Sequence, residues 1–199
     1  AIDTTKLISN MHIILGSSSA SRQQVMRELG LPFTIVTPDI DEKSIRFDDP
    51  ETLTLAIANA KADAVADKLT ESGIVIASDH VEVCDGVIYE KPSSEQEIRE
   101  LYKHFSNREL VGYSAVVVLN TATGKRAQGI ERASFMYREI PDAVLTQYIA
   151  EGDPWNAAGA IRVQNELLLP YLEYLHGGVD VIMGLPKALT LRLVEEVQN

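Results

Sequence analysis

Four short stretches hold the residues with chemistry to offer: Ser17, Ser19 and Arg22 after one apolar run, Asp39, Asp41 and Glu42 together, Lys61 in a helical pattern, and Asp79 after a second apolar run. Small hydroxyls at a turn that opens a helix can hold an anion, because free backbone N–H groups and the positive end of the helix dipole point the same way. Arg22 would add a fork of donors in the first helical turn. Two readings are open for the serines, a phosphate cradle or simple helix capping. A Walker loop is excluded, since no Gly-Lys-Ser/Thr follows. The acidic stretch reads either as a solvated loop or as oxygen ligands suited to magnesium. Lys61 lies one turn after Ile57 and one before Val65, on the apolar side, so it either snorkels to a rim or brings a cation to a cleft.

The elements that must position these groups follow from the pattern around them. Ile13-Ile14-Leu15 stops at Gly16 as a strand, and Val25, Met26 and Leu29 recur at helical spacing until Gly30. Phe33 to Thr37 alternates as a second strand. Asp49-Pro50-Glu51 carries a cap, a first-position proline and a first-turn acid, opening a helix to about Leu69 with Leu53, Ile57, Ala60 and Ala64 inward. Ile74 to Ala77 reads as a buried strand ending in Ser78-Asp79-His80, and acids at the carboxyl ends of such strands sit where ligands gather. Val81 to Cys84 and Val87 to Glu90 flank Asp85-Gly86, a tight hairpin signal.

Ser94 and Glu97 predict a capping box for a helix that turns Ile98, Leu101, Tyr102 and Phe105 inward. Leu110 to Asn120 and Lys125 to Tyr137 form a long hairpin. Pro141-Asp142 opens a helix that closes at Gly152. The small-residue stretch Trp155 to Gln164 follows, in which Gln164 reads as an ordinary loop residue. Val179 to Met183 is expected as a last apolar strand before a helix with Leu189, Leu193 and Val197 inward.

A chain of 199 residues, 45% hydrophobic, can bury a full core as one domain or one domain with two lobes. It has no apolar run of membrane-spanning length, and Ala1 to Asn10 lacks the marks of a signal peptide, so a soluble cytoplasmic protein is expected. The single cysteine, Cys84, has no second cysteine for a disulfide or a paired metal site and is expected as a core thiol. A net charge of −11 argues against duplex nucleic acid. The same charge means that a polyphosphate ligand would require focused cations or a divalent metal.

The order of these motifs resembles the Maf family, septum formation inhibitor homologues that act as nucleoside triphosphate pyrophosphatases. It is carried by Leu15-Gly16-Ser17-Ser18-Ser19-Ala20-Ser21-Arg22, Asp39-Ile40-Asp41-Glu42, Lys61-Ala62, Ser78-Asp79, Asp85-Gly86, Lys91-Pro92, Ala158-Gly159 to Gln164, and Gly184-Leu185-Pro186. The family's proline and first arginine in the serine loop are here Ala20 and Ser21. Other departures are His80, Leu110, Ala157 and Ile161.

The resemblance implies an α/β fold of the Maf/ITPase-like kind: a mixed twisted sheet flanked by helices, two lobes with a central cleft, and often a homodimer. Residues 1–10 would be an N-terminal extension and 11–199 a single Maf-like domain. It further implies hydrolysis of a nucleoside triphosphate, modified or non-standard ones included, to the monophosphate and pyrophosphate. Carried over, Ser17 and Ser19 hold phosphate oxygens, and Arg22, Lys61 and Lys91 offset charge on the leaving group. Glu42 and Asp79 place a divalent cation (Mg, Mn or Co), Asp79 is the general base, and Gln164 positions a phosphate or the base. Ser78-Asp79-His80 and the lysine-free Asn156-Ala157-Ala158-Gly159 resemble the branch acting on methylated guanosine triphosphate, whereas Gln164 resembles the dTTP/UTP branch. The alternative is a catalytically weak nucleotide-binding regulator of cell division.

Overall fold

The computed structural model describes residues 11–199, so the expected N-terminal extension lies outside the described residues. Strand β1 is Ile13–Leu15, helix α1 Ala20–Glu28, β2 Thr34–Ile35 and α2 Pro50–Lys68. Then come β3 (Ile74–Cys84), β4 (Val87–Tyr89), α3 (Glu95–Phe105), β5 (Glu109–Asn120) and β6 (Arg126–Tyr137). The chain ends with α4 (Asp142–Ala150), β7 (Leu172–His176), α5 (Val179–Ile182) and α6 (Lys187–Gln198). The seven strands form one sheet in the order β2-β1-β3-β5-β6-β7, with β4 paired to β3. β1 runs parallel to β2 and β3, whereas β4 and β7 pair antiparallel, so the sheet is mixed as expected.

Chain contacts divide the molecule into two compact units. Among the described residues the first comprises 11–79, Ser114–Glu131 and Gly184–Asn199; the second comprises His80–Tyr113 and Arg132–Met183. In the first unit α2 lays Ala58, Ala62 and Val65 on Ile14, Val75, Ala77, Ala115 and Val117. Alanines on the helix allow its backbone close to the sheet, and Gly16 shows how close: a Cβ there would meet Val65 Cγ2 at 2.9 Å. Strand residues alternate between faces, so Gly129, one position from Ile130 of the α2 side, instead meets Leu189 of α6. Leu189, Leu193 and Val197 are buried, as their spacing predicts.

The second unit has an aromatic core, with Tyr102, Phe105, Phe135, Tyr137 and Tyr148 among Ile98, Leu101 and Leu110. α3 turns Ile98, Leu101, Tyr102 and Phe105 inward as expected. Its cap is displaced by one residue: Ser94 Oγ accepts from Glu97 N–H, but the Glu97 carboxylate accepts from Ser93 N–H and Oγ–H instead of reaching Ser94. The Asp85-Gly86 hairpin is present, with φ of 49° and 76°, the left-handed pair that a tight two-residue turn requires.

Two expectations are corrected. Val179–Ile182 is a short helix, because the Gly177-Gly178 break redirects the chain and the run then buries Val181 and Ile182. The last strand is instead β7, which carries no fully buried residue and so lacks an apolar signature. β3 does not stop at Ala77 but runs on to Cys84, which leaves Asp79 inside a strand. Its parallel pairing with β1, however, ends at Ile76, so Asp79 still lies beyond the carboxyl end of β1.

Candidate active site

The serine turn is built by its own hydroxyls. Ser17 Oγ accepts from Ser19 N–H at 3.1 Å, and Ser19, the N-cap of α1, accepts from Arg22 N–H at 3.4 Å. Capping is therefore real, but it uses only acceptor lone pairs and leaves each hydroxyl a proton to donate. Ser17 is buried and Ser19 half-buried. Gly16 N–H donates to Ile76 O at 2.8 Å, which ties the start of the turn to β3.

Arg22, in the first turn of α1, sends Nη1 to Ser78 O at 3.2 Å. Gly184, at φ +92°, lies so close that a Cβ would stand 2.7 Å from Arg22 Nε. A left-handed backbone and a missing side chain are both required there, which gives the Gly184-Leu185-Pro186 motif a positional reason.

Lys61 meets the same carbonyl, with Nζ 3.4 Å from Ser78 O. The ammonium is 3.0 Å from Asp79 Oδ1 and 3.2 Å from Glu42 Oε1. It is only 6% exposed, so it is not a snorkelling lysine. Desolvating an ammonium costs several kcal/mol, a cost that close carboxylates can offset. Asp79 is buried as deeply as Lys61, while the Glu42 side chain is 41% exposed and forms the open side of the cluster.

Glu42 is held in place by the acidic stretch around it. Lys68 donates to Thr37 O at 2.7 Å and pairs with Asp39, and Ser44 Oγ–H donates to Asp41 O at 2.7 Å. Glu42–Ser44 then closes as one turn of 3-10 helix. Neither Lys68 nor the Ser78 carbonyl was singled out by sequence. The carbonyl has no side-chain signature, and Lys68 reads as an ordinary last-turn cation.

Within the first unit the chain thus brings together Ser17, Ser19, Arg22, Glu42, Lys61 and Asp79. Lys91 and Gln164 belong to the second unit, Lys91 exposed after β4 and Gln164 half-buried past the Ala158–Ala160 turn. That turn has Gly159 and Ala160 at φ 60° and is fixed by Tyr102 and Tyr148, whose hydroxyls donate to Ala160 O at 2.8 and 2.7 Å.

A second carboxylate on β3 was missed. Glu82 is 1% exposed; Oε1 is 2.6 Å from His80 Nε2, and Oε2 has no hydrogen-bond partner. Burial pushes its carboxyl pKa up, and the neighbouring imidazole offsets this only in part.

The donor set around Lys61 fits a divalent cation. Two carboxylates from separate segments already converge on one positive charge, each at about hydrogen-bond distance, and hard oxygen donors suit magnesium or manganese.

The chain matches the family model described as Maf-like protein over residues 12–197. It is 41% identical over 194 residues to a 7-methyl-GTP pyrophosphatase of Dictyostelium discoideum, covering 94% of this chain and 98% of that one. A dTTP/UTP pyrophosphatase of Caldanaerobacter subterraneus is 31% identical over 185 residues, covering 93% of this chain and 88% of that one. Among solved structures, a HAM1 protein from Coxiella burnetii aligns with a TM-score of 0.48 and 16% identity, over 66% of this chain and 75% of that one.

Proposed function

Because the chain belongs to the Maf-like family, we propose that it hydrolyses nucleoside triphosphates to the monophosphate and pyrophosphate, clearing unwanted nucleotides from the pool. The observation that carries this reading is the convergence of Arg22 and Lys61 on the Ser78 carbonyl, with Glu42 and Asp79 on the same ammonium. In a chain of net charge −11, these are the cations a triphosphate would need, gathered beside a turn of hydroxyls and amides.

Glu42 and Asp79 pair with Lys61. A triphosphate brings its own negative charge and competes for the ammonium, while Ser17 and Ser19 donate to phosphate oxygens and Arg22 adds its fork. Charge grows on the leaving pyrophosphate, and preorganised cations stabilise it more than they stabilise the bound substrate. Asp79, oriented through Oδ1 by Lys61, takes the proton of the attacking water. Lys91 and Gln164 are proposed as further phosphate contacts on the resemblance alone. Glu42 and Asp79 would hold a divalent metal, which when bound supplies Lewis-acid stabilisation of phosphoryl oxygens. A single Maf-like domain over 11–199, a cytoplasmic setting and a homodimer belong to the same proposal. Among the described residues no helix is long and apolar enough to cross a membrane.

On substrate, the 41% identity to a 7-methyl-GTP pyrophosphatase supports a modified guanosine triphosphate over dTTP or UTP, in keeping with His80 and Ala157. A catalytically weak division regulator is not favoured, since it would not require two carboxylates at the inward lysine. The test is a panel of 7-methyl-GTP, GTP, dTTP and UTP with magnesium, manganese or cobalt, scored for pyrophosphate against orthophosphate. Pyrophosphate release fastest with 7-methyl-GTP is expected. Orthophosphate as sole product would overturn the reaction, and clear preference for dTTP would overturn the substrate.

A further inference from the structure

Within the second unit, the end of the β3–β4 hairpin and the last turn of α3 bring three different donor types together. A thiol, a carboxylate and an imidazole, from Cys84, Asp85 and His104, offer ligand atoms that all lie within 4.8 Å of one another. We propose that Cys84, Asp85 and His104 form a zinc-binding site, independent of the pyrophosphatase reading and unconnected to Glu42 and Asp79.

The placement of each donor is determined by the fold. Cys84 is the last residue of β3, paired with Val87 across the hairpin, and is 1% exposed in the aromatic core. Asp85 follows at φ 49°, and this left-handed step turns its side chain off the strand. His104 is carried by α3, which Ile98, Leu101, Tyr102 and Phe105 anchor in the same core as Cys84. Its ring lies 6.4 Å from that of Tyr89 and 6.1 Å from that of Phe105. The thiol therefore forms the floor, while the Asp85 and His104 side chains, 51% and 39% exposed, form a rim open to solvent.

The geometry is within reach of a tetrahedral ion. Zinc bonds of about 2.0–2.3 Å put ligand atoms roughly 3.3–3.8 Å apart, so the observed spread must close by about 1 Å. Rotation of the two exposed side chains can supply that. Three protein donors leave a fourth position for water. Thiolate and imidazole select zinc over magnesium, so this site would not compete for the hard cation suited to Glu42 and Asp79.

Charge balances as well. On binding, the Cys84 thiol releases its proton to solvent, and thiolate plus carboxylate neutralise Zn²⁺ with the imidazole neutral. Asp85 also pairs with Arg108 Nη1 at 2.8 Å and faces His104 Nε2 at 3.5 Å. Arg108 is half exposed and can swing away, but it competes for the carboxylate and holds affinity below that of a dedicated structural zinc site.

The test is zinc titration of chelator-stripped full chain against a chromogenic chelator, with cobalt(II) as the spectroscopic probe. Wild type is expected to hold one equivalent of zinc and to show a thiolate-to-cobalt charge-transfer band. Cys84→Ser should lose both, and His104→Ala should weaken zinc at least tenfold. Asp79→Asn should keep the equivalent and the band. Equal zinc uptake by wild type and Cys84→Ser, or a cobalt complex without a thiolate band, would overturn the proposal. Because Cys84→Ser alters a core residue, zinc protection of the wild-type thiol against alkylation provides a second readout, and unchanged alkylation at saturating zinc would equally overturn it.

Discussion

Strand β3 carries two buried carboxylates three positions apart, and the chain treats them in opposite ways. Asp79 meets an ammonium at 3.0 Å and shares it with Glu42 on an open side. Glu82 is enclosed, with one oxygen on His80 and the other without a partner. The first faces a countercharge that it can exchange for another partner, whereas desolvation pushes the second toward its neutral form. The cores differ in the same sense. The core of the first unit is built largely of alanines and β-branched residues, while that of the second is rich in tyrosines, two of which, Tyr102 and Tyr137, interact electrostatically with Glu82. Burial alone therefore does not mark a reactive acid; what matters is whether the buried charge has a partner it can give up.

The sharpest way to break this contrast is Asp79→Asn, which keeps volume and removes the charge. Turnover should fall by about a hundred- to ten-thousand-fold for a lost acid–base group, with triphosphate binding by calorimetry largely retained. Near wild-type turnover in a folded variant would remove Asp79 from catalysis. Lys61→Met comes next: a loss of about a hundred- to thousand-fold in kcat is expected, and unlike Asp79→Asn it should also weaken binding, because its charge meets substrate before and during reaction. A change in KM with kcat untouched would reduce Lys61 to a binding contact.

Glu82→Gln tests the other half through stability. The raised native pKa means that protonated Glu82 contributes stability present below the unfolded carboxylate value and lost as pH rises through the native one. The variant should therefore gain on wild type in denaturant midpoint as pH rises from about 4 toward neutrality, the unfolded carboxylate pKa being about 4.3. A gap that shrinks over that range would mean the His80 contact outweighs burial. The smallest effect expected is on the tyrosines that hold Ala160. Tyr102→Phe removes one hydrogen bond, about 1 kcal/mol, while Tyr148→Phe should cost more because its oxygen also accepts from Arg162 N–H at 3.0 Å. Equal thermal shifts would show that the Arg162 contact contributes nothing.

Local signals were legible where the physics is local. The Asp49-Pro50 helix start, the Asp85-Gly86 turn and the inward face of α3 each depend on a few neighbouring residues, and each is present as read. Val179–Ile182 misled because a short apolar run has no distinguishable period, so the glycines before it decided the outcome. Glu82 was passed over because Val81-Glu82-Val83 alternates like a strand with one wet face, and only the packed fold shows that this part of β3 is covered on both faces.

By itself, then, the chain determined its mixed α/β order, its serine turn, its inward lysine and its lack of a second cysteine, because these follow from residue type and short-range spacing. Tertiary structure alone decided that Lys61 pairs with both Asp79 and Glu42, that Arg22 and Lys61 share the Ser78 carbonyl, and that His104 comes to Cys84. Those pairings join segments about 20 to 60 residues apart. No local propensity encodes them, and they exist only once the sheet order and the packing of α1, α2 and α3 bring the segments together.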